Sequence, residues 1–146
     1  MAAKILLIDI ETAPILADVW GLFKQNVGLS QIEAHPYVLC WAAKWYGDDT
    51  IYWDALPEYK RTYRRNKEND IKVVSSARDM LDEADIVVGH NIRAFDNKWL
   101  KGRMMVHDMV PPSPYKMVDT LSAARQNYKL ASNRLDYLGK ILGYGG

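Results

Sequence analysis

Apolar and polar residues alternate and cluster along this chain in a way that predicts most of its elements. Lys4-Ile5-Leu6-Leu7-Ile8-Asp9-Ile10-Glu11 is an apolar, β-branched run closed by Thr12, Ala13 and Pro14, which reads as a buried strand ending in carboxylates. Two further β-rich segments, 37–46 and 50–53, flank Gly47-Asp48-Asp49, the composition of a hairpin turn. From Ile15 to His35 the rhythm fails, with Trp20, Leu22, Phe23 and Val27 scattered among polar residues; this predicts a loop with a possible helical turn. Residues 57–72 are a second break. Ser76 then opens a helix with Met80, Leu81 and Ala84 apolar, followed by the strand Ile86-Val87-Val88 and the turn Gly89-His90-Asn91. Asp96 begins another helix, with Phe95, Trp99, Leu100 and Met104 at helical spacing. Three prolines within Val110-Pro111-Pro112-Ser113-Pro114 enforce a loop. A last strand spans Tyr115 to Val118, Asp119 or Thr120 caps the helix that follows, and Asn133 caps a final one carrying Leu135, Leu138, Ile141 and Leu142 on one side. The order β, β, β, α, β, α, β, α, α predicts an α/β fold, a mixed sheet with helices packed against it.

Composition narrows the class. A chain of 146 residues suits one domain with one core, and 49% hydrophobic with 25% charged residues excludes a disordered, collagenous or membrane-spanning chain. The formal net charge of +1 provides no global field toward nucleic acid or acidic membranes, so any such affinity is local. The one concentrated basic stretch sets Lys60, Arg61, Arg64, Arg65, Lys67 and Lys72 against Glu58, Glu68 and Asp70. Tyr59 and Tyr63 are interleaved with it, a pattern that fits stacking on single-stranded bases as well as a plain solvated face. Arg64 and Arg65 are its candidate strand-binding residues. The single cysteine, Cys40, excludes an internal disulfide and fits a reducing cytosol; it reads as a small hydrophobe buried on a strand. The run Ile5–Ile8 is too short for a signal peptide, so the expected location is cytoplasmic and no membrane partner is expected.

Chemistry concentrates in two places. Asp9 and Glu11, two positions apart on a strand, point to the same side at its C-terminal end. Paired carboxylates repel, and a divalent cation with a preference for oxygen ligands, magnesium or manganese, relieves that repulsion. The second place is Gly89-His90-Asn91-Ile92-Arg93-Ala94-Phe95-Asp96, a strand end, a turn and an acid in the first turn of a helix.

Taken together, Asp9-Ile10-Glu11-Thr12 and Asn91-Ile92-Arg93-Ala94-Phe95-Asp96 resemble the first two motifs of the DnaQ-like (DEDD) 3′-to-5′ exonucleases, Asp-x-Glu-Thr and Asn-x-x-x-Phe-Asp, each after an apolar strand. Val118-Asp119-Thr120-Leu121 and Asn133-Arg134-Leu135-Asp136-Tyr137-Leu138 are similar to the family's next strand-to-helix step and the helix before its third motif, so the resemblance covers most of the chain. The third motif itself, a Tyr or His followed by a fourth metal-binding aspartate, has no counterpart before Gly146. The resemblance implies an RNase H-like sheet of five strands, the first three antiparallel, in a single domain truncated before its last helix. It implies hydrolysis of a terminal phosphodiester of single-stranded nucleic acid with two Mg²⁺ or Mn²⁺ ions, held by Asp9, Glu11 and Asp96 as metal-binding and catalytic residues. Thr12, Asn91 and Phe95 would line the strand. The surface left by the absent helix would expose apolar residues and favour self-association. A different class, a nucleic-acid-binding module of the same fold with an incomplete site, remains open beside it. Asp119 and Asp136 read as helix-capping acids rather than replacement ligands, His90 reads as a structural hydrogen-bonding residue, His35 and His107 show no ligand spacing, and Trp41, Trp45 and Trp53 read as packing.

Overall fold

Alternation along the first strand sets the two faces of the sheet. In the computed structural model, which describes residues 2–144, Leu6, Ile8 and Ile10 are buried while Leu7, Asp9 and Glu11 face outward. The elements in chain order are β1 (Ile5–Thr12), β2 (Leu16–Ala17), β3 (Ile32–Ala34), β4 (Val38–Trp45), β5 (Ile51–Ala55), α1 (Lys60–Arg65), α2 (Ile71–Asp82), β6 (Ile86–Gly89), α3 (Asp96–Val106), β7 (Lys116–Asp119), α4 (Thr120–Asn127) and α5 (Leu135–Ile141). Five strands form one sheet in the order β5-β4-β1-β6-β7. β5, β4 and β1 are mutually antiparallel, and β6 and β7 join parallel to β1. This is the mixed RNase H-like α/β sheet expected from the sequence.

One face is covered. α2 presents Val73, Val74, Ala77 and Leu81, and α3 presents Leu100 and Met104, to Leu6, Ile8, Ile10, Val38, Trp41 and Val87. Close packing of these branched side chains accounts for the core, because apolar area removed from water contributes about 25 cal/mol per Å². The opposite face stays largely open among the described residues. Cross-strand pairing places Leu7 beside Lys44 and Val88, Lys44 beside Ile51, Ala42 beside Trp53, and Val88 beside Val118, and Leu7, Ile51, Trp53 and Val118 are all exposed. Trp41 therefore packs as expected, whereas Trp53 does not.

Several local expectations give way to tertiary effects. α2 begins at Ile71, five residues ahead of Ser76; Val73 and Val74 are poor helix formers, but both are fully buried, and burial outweighs that propensity. The stretch 15–35 carries the β2–β3 ribbon and a 3-10 turn at Leu29–Gln31. Asn133 does not cap α5: the capping position is Arg134, with no side-chain hydrogen bond. Leu135, Ile141 and Leu142 on α5 are exposed rather than packed. Asp70 and His107 form a buried knot that local spacing does not reveal. The Asp70 carboxylate accepts from the Val38 amide at 2.8 Å and from Arg103 Nε and Nη2 at 2.8 and 2.7 Å, and lies 2.6 Å from His107 Nε2. No helix among the described residues is long and apolar enough to cross a membrane.

Candidate metal centre

β1, β5, β6 and β7 all run the same way, so their carboxyl ends share one edge of the sheet, where open α/β sheets place their ligands. β6 pairs with β1 only from Leu7 back to Ile5. Beyond that point the chain turns away at Gly89, and the Ile10 amide is left without a strand partner on that side. Asp96, the first residue of α3, fills the gap: its Oδ1 accepts from the Ile10 amide at 3.0 Å. Glycine is required at 89 because a Cβ there would lie 2.8 Å from Ile92 Cβ and 3.1 Å from the Ile8 carbonyl oxygen. The close approach of the two strands thus brings Asp96 to β1.

The result is a pair of acids. Burial pushes the Asp96 carboxyl up from its ordinary value, the amides of Asp96 and Ile10 pull it back, and the adjacent Asp9 carboxylate raises it again. Neither Asp9 nor Asp96 has a cationic side chain in ion-pair contact among the described residues. Glu11 lies on the same face two residues on, opposite Cys40 in β4. Cys40 is thus not the buried hydrophobe expected. It is half-buried on the carboxylate face, where burial, then Glu11, then Asp9 push its thiol up, so it stays protonated and unreactive. The sequence signal was available, since residues paired across strands share a face, but the pairing register was not.

Among the described residues no group of three or more His, Cys, Asp or Glu side chains is gathered tightly enough to cage an ion. The donor set present is two neighbouring carboxylates with Glu11 beyond them. That set fits one magnesium or manganese ion, which commonly takes one or two carboxylates and completes its shell with water and substrate phosphate. It does not fit an ion held by three protein carboxylates.

The other candidates have defined places. Asp119 is consumed by the backbone: Oδ1 accepts from Asn91, Leu121 and Ser122 at 3.0, 3.0 and 3.3 Å, and Oδ2 from Arg93 at 3.2 Å. Burial opposes its ionisation, but these amides hold the carboxyl below its usual range. It caps α4 and anchors the β6–α3 turn. His90 uses both ring nitrogens. Nε2 donates to the Asn133 carbonyl at 2.8 Å, leaving Nδ1 to accept from Thr120 Oγ1 at 2.9 Å. Asn91 holds a left-handed conformation, φ 67°, in the turn that leads to Asp96. Phe95, just before α3, is partly exposed and meets Trp99 edge-on at 6.3 Å. Thr12 ends β1 at a shift of register.

Arg64 and Arg65 are not brought to the acids. They are exposed on α1 beyond the end of β5, two strands from β1. Tyr59 and Tyr63 turn toward the α2-covered core, with Lys72 and Lys67 over their rings at 5.2 and 5.9 Å. Those rings are occupied by packing and cation–π contact rather than offered to bases.

The chain is similar in structure to the family B DNA polymerase from the hyperthermophilic archaeon Pyrobaculum calidifontis. The TM-score is 0.67 at 16% identity, over 98% of this chain and 18% of that one. The likeness shows a shared fold. The chain thus spans less than a fifth of that polymerase's length. Neither a protein-family model nor a curated protein sequence matches it.

Proposed function

We propose that this chain is a metal-dependent 3′-to-5′ exonuclease domain that hydrolyses terminal phosphodiesters of single-stranded DNA or RNA. The observation that carries the reading is the contact of Asp96 with β1 beside Asp9. Two acids 87 positions apart in the numbering are held together with no cation of the chain's own to neutralise them. The fold shared with a DNA polymerase agrees with a nucleic-acid substrate. Asp9 and Asp96 would hold one Mg²⁺ or Mn²⁺ ion, and Glu11 would join a second brought in with the substrate phosphate. Bound ions of this kind lower the pKa of water and stabilise charge on the leaving 3′-oxygen. The Ile10 amide orients Asp96 by occupying its Oδ1, and Gly89 permits the strand approach that makes this bond. Thr12, Asn91 and Phe95 border the path of the strand at the same sheet edge.

Incubation with Mn²⁺ and a 3′-labelled single strand tests the proposal. Wild type releases the terminal nucleotide, Asp9→Ala loses that release by several orders of magnitude, and a circular strand is untouched. Cleavage of the circle would point instead to an endonuclease on the same carboxylates.

A second reading, a binding module without turnover, is favoured by one observation. Only two carboxylates are adjacent, and Asp119, the nearest alternative, is fully engaged by amides. Under it neither protein releases nucleotide, and Asp9→Ala binds the strand as well as wild type or better.

A further inference from the structure

A cleft of about 770 Å³ opens beside the carboxylate pair, between the β6–α3 turn, α4 and the start of α5, with His90, Asn91, Arg125, Ser132, Asn133 and Arg134 in its wall. We infer that this cleft is a nucleotide-binding subsite, in which Arg125 and Arg134 hold a phosphate and the Asn133 carboxamide accepts a hydrogen bond from a base or sugar donor. The inference rests on the exonuclease reading for the identity of the strand, and extends it to residues that reading does not use.

Four observations support it. The Asn133 Oδ1 atom is buried and has no hydrogen-bond partner. A shielded acceptor left unpaired is destabilising, and native structures rarely keep one without a reason. Arg125 has no acidic partner among the described residues, and Arg134 has only a loose, exposed contact with Asp136 at 3.6 Å, so the cleft wall carries positive charge that nothing in the wall neutralises. The wall is also built. His90 donates to the Asn133 carbonyl at 2.8 Å while its other ring nitrogen faces Thr120 Oγ1 at 2.9 Å, which ties Asn133 to the end of β6. Finally, His90 and Leu135 line both this cleft and the neighbouring groove of about 370 Å³ that contains Asp9, so a strand in one continues into the other. Anionic phosphate plus an N–H or O–H donor is the chemistry of a nucleotide, and the volume suits a ligand of that size.

The test measures binding without turnover, using a short 5′-fluorescein-labelled oligothymidylate in EDTA, alongside thermal unfolding of the free protein. Asn133→Leu is expected to weaken strand binding about 3- to 10-fold, the worth of one hydrogen bond. It should leave the free protein as stable as wild type or more so, because it removes an unpaired acceptor; a purely structural Asn133 would instead destabilise on substitution. Arg125→Ala is expected to weaken binding and to reduce the salt dependence by about 0.7 in slope, one phosphate contact on a single strand. Unchanged affinity in both variants overturns the subsite, as does displacement of the oligonucleotide by inorganic phosphate as readily as by thymidine monophosphate, which marks a generic anion site. Failure of the subsite is separable from failure of the exonuclease. In the first case nucleotide release with Mn²⁺ persists while these variants bind normally; in the second, release is absent from wild type while these variants still bind weakly.

Discussion

Asp70 and Asp96 are both shut away from water, at 0% and 2% exposure, and their surroundings have opposite sign. Asp70, at the head of α2, meets Arg103 through two hydrogen bonds, His107 and the Val38 amide. Burial resists its ionisation, yet those partners hold the carboxyl below its usual range. Asp96, at the head of α3, meets the Ile10 amide and a second carboxylate, Asp9, and is pushed up. A buried charge that the fold itself neutralises ties elements together. One that faces another acid stores repulsion, and the fold retains it at an edge where strand ends converge. The contrast separates a structural aspartate from a functional one without any appeal to motif.

The largest expected effect breaks the first half of that contrast. Asp70→Ala leaves the Arg103 guanidinium partly buried and unpaired, so roughly 3–5 kcal/mol of stability should be lost, read from urea unfolding. The same carboxylate sets a dependence on acid. Its folded-state pKa is depressed, so its contribution is complete above the ordinary carboxylate range and is lost as pH falls through the folded value. Asp96 has the reverse sign: its folded-state pKa is raised, so its ionised form costs stability at neutral pH, and mild acidification relieves that cost. Unfolding midpoints measured on a descending pH series should therefore drop steeply in wild type below the carboxylate range, and fall less in Asp70→Asn.

A smaller effect lies at the strand approach. Gly89→Ala places a methyl group against Ile92 and the Ile8 carbonyl, which should cost about 1–3 kcal/mol. Because the displaced turn carries Asp96, nucleotide release should fall further than stability does. Release proportional to the folded fraction would show that Gly89 matters for packing alone.

Much of this was legible in the sequence, and the gaps have physical causes. The five sheet strands follow from apolar alternation, and Asp96 at a helix start follows from the periodicity after Phe95, because both patterns are local. Asp9 and Glu11 sharing a face is likewise a matter of strand geometry. What local pattern does not encode is pairing over distance. Arg103 and His107 stand 33 and 37 positions from Asp70, and Cys40 meets Glu11 only through the antiparallel register. The early start of α2 was hidden because Ile71, Val73 and Val74 resemble strand residues until burial decides for helix. Asn133 has the chemistry of a cap, but the helix starts one residue later and its carboxamide turns inward.

The central claim is that Asp9 and Asp96 repel each other in the free protein and jointly take a divalent cation. Thermal unfolding of wild type and Asp9→Asn, each with chelator and with excess Mn²⁺, tests it most directly. With chelator, Asp9→Asn should match wild type or exceed it by about 1 kcal/mol. Mn²⁺ at a hundredfold excess over its Kd should then stabilise wild type by about 2.7 kcal/mol and leave Asp9→Asn where it was. A variant less stable than wild type in chelator, or an equal Mn²⁺ response in both proteins, would contradict the account.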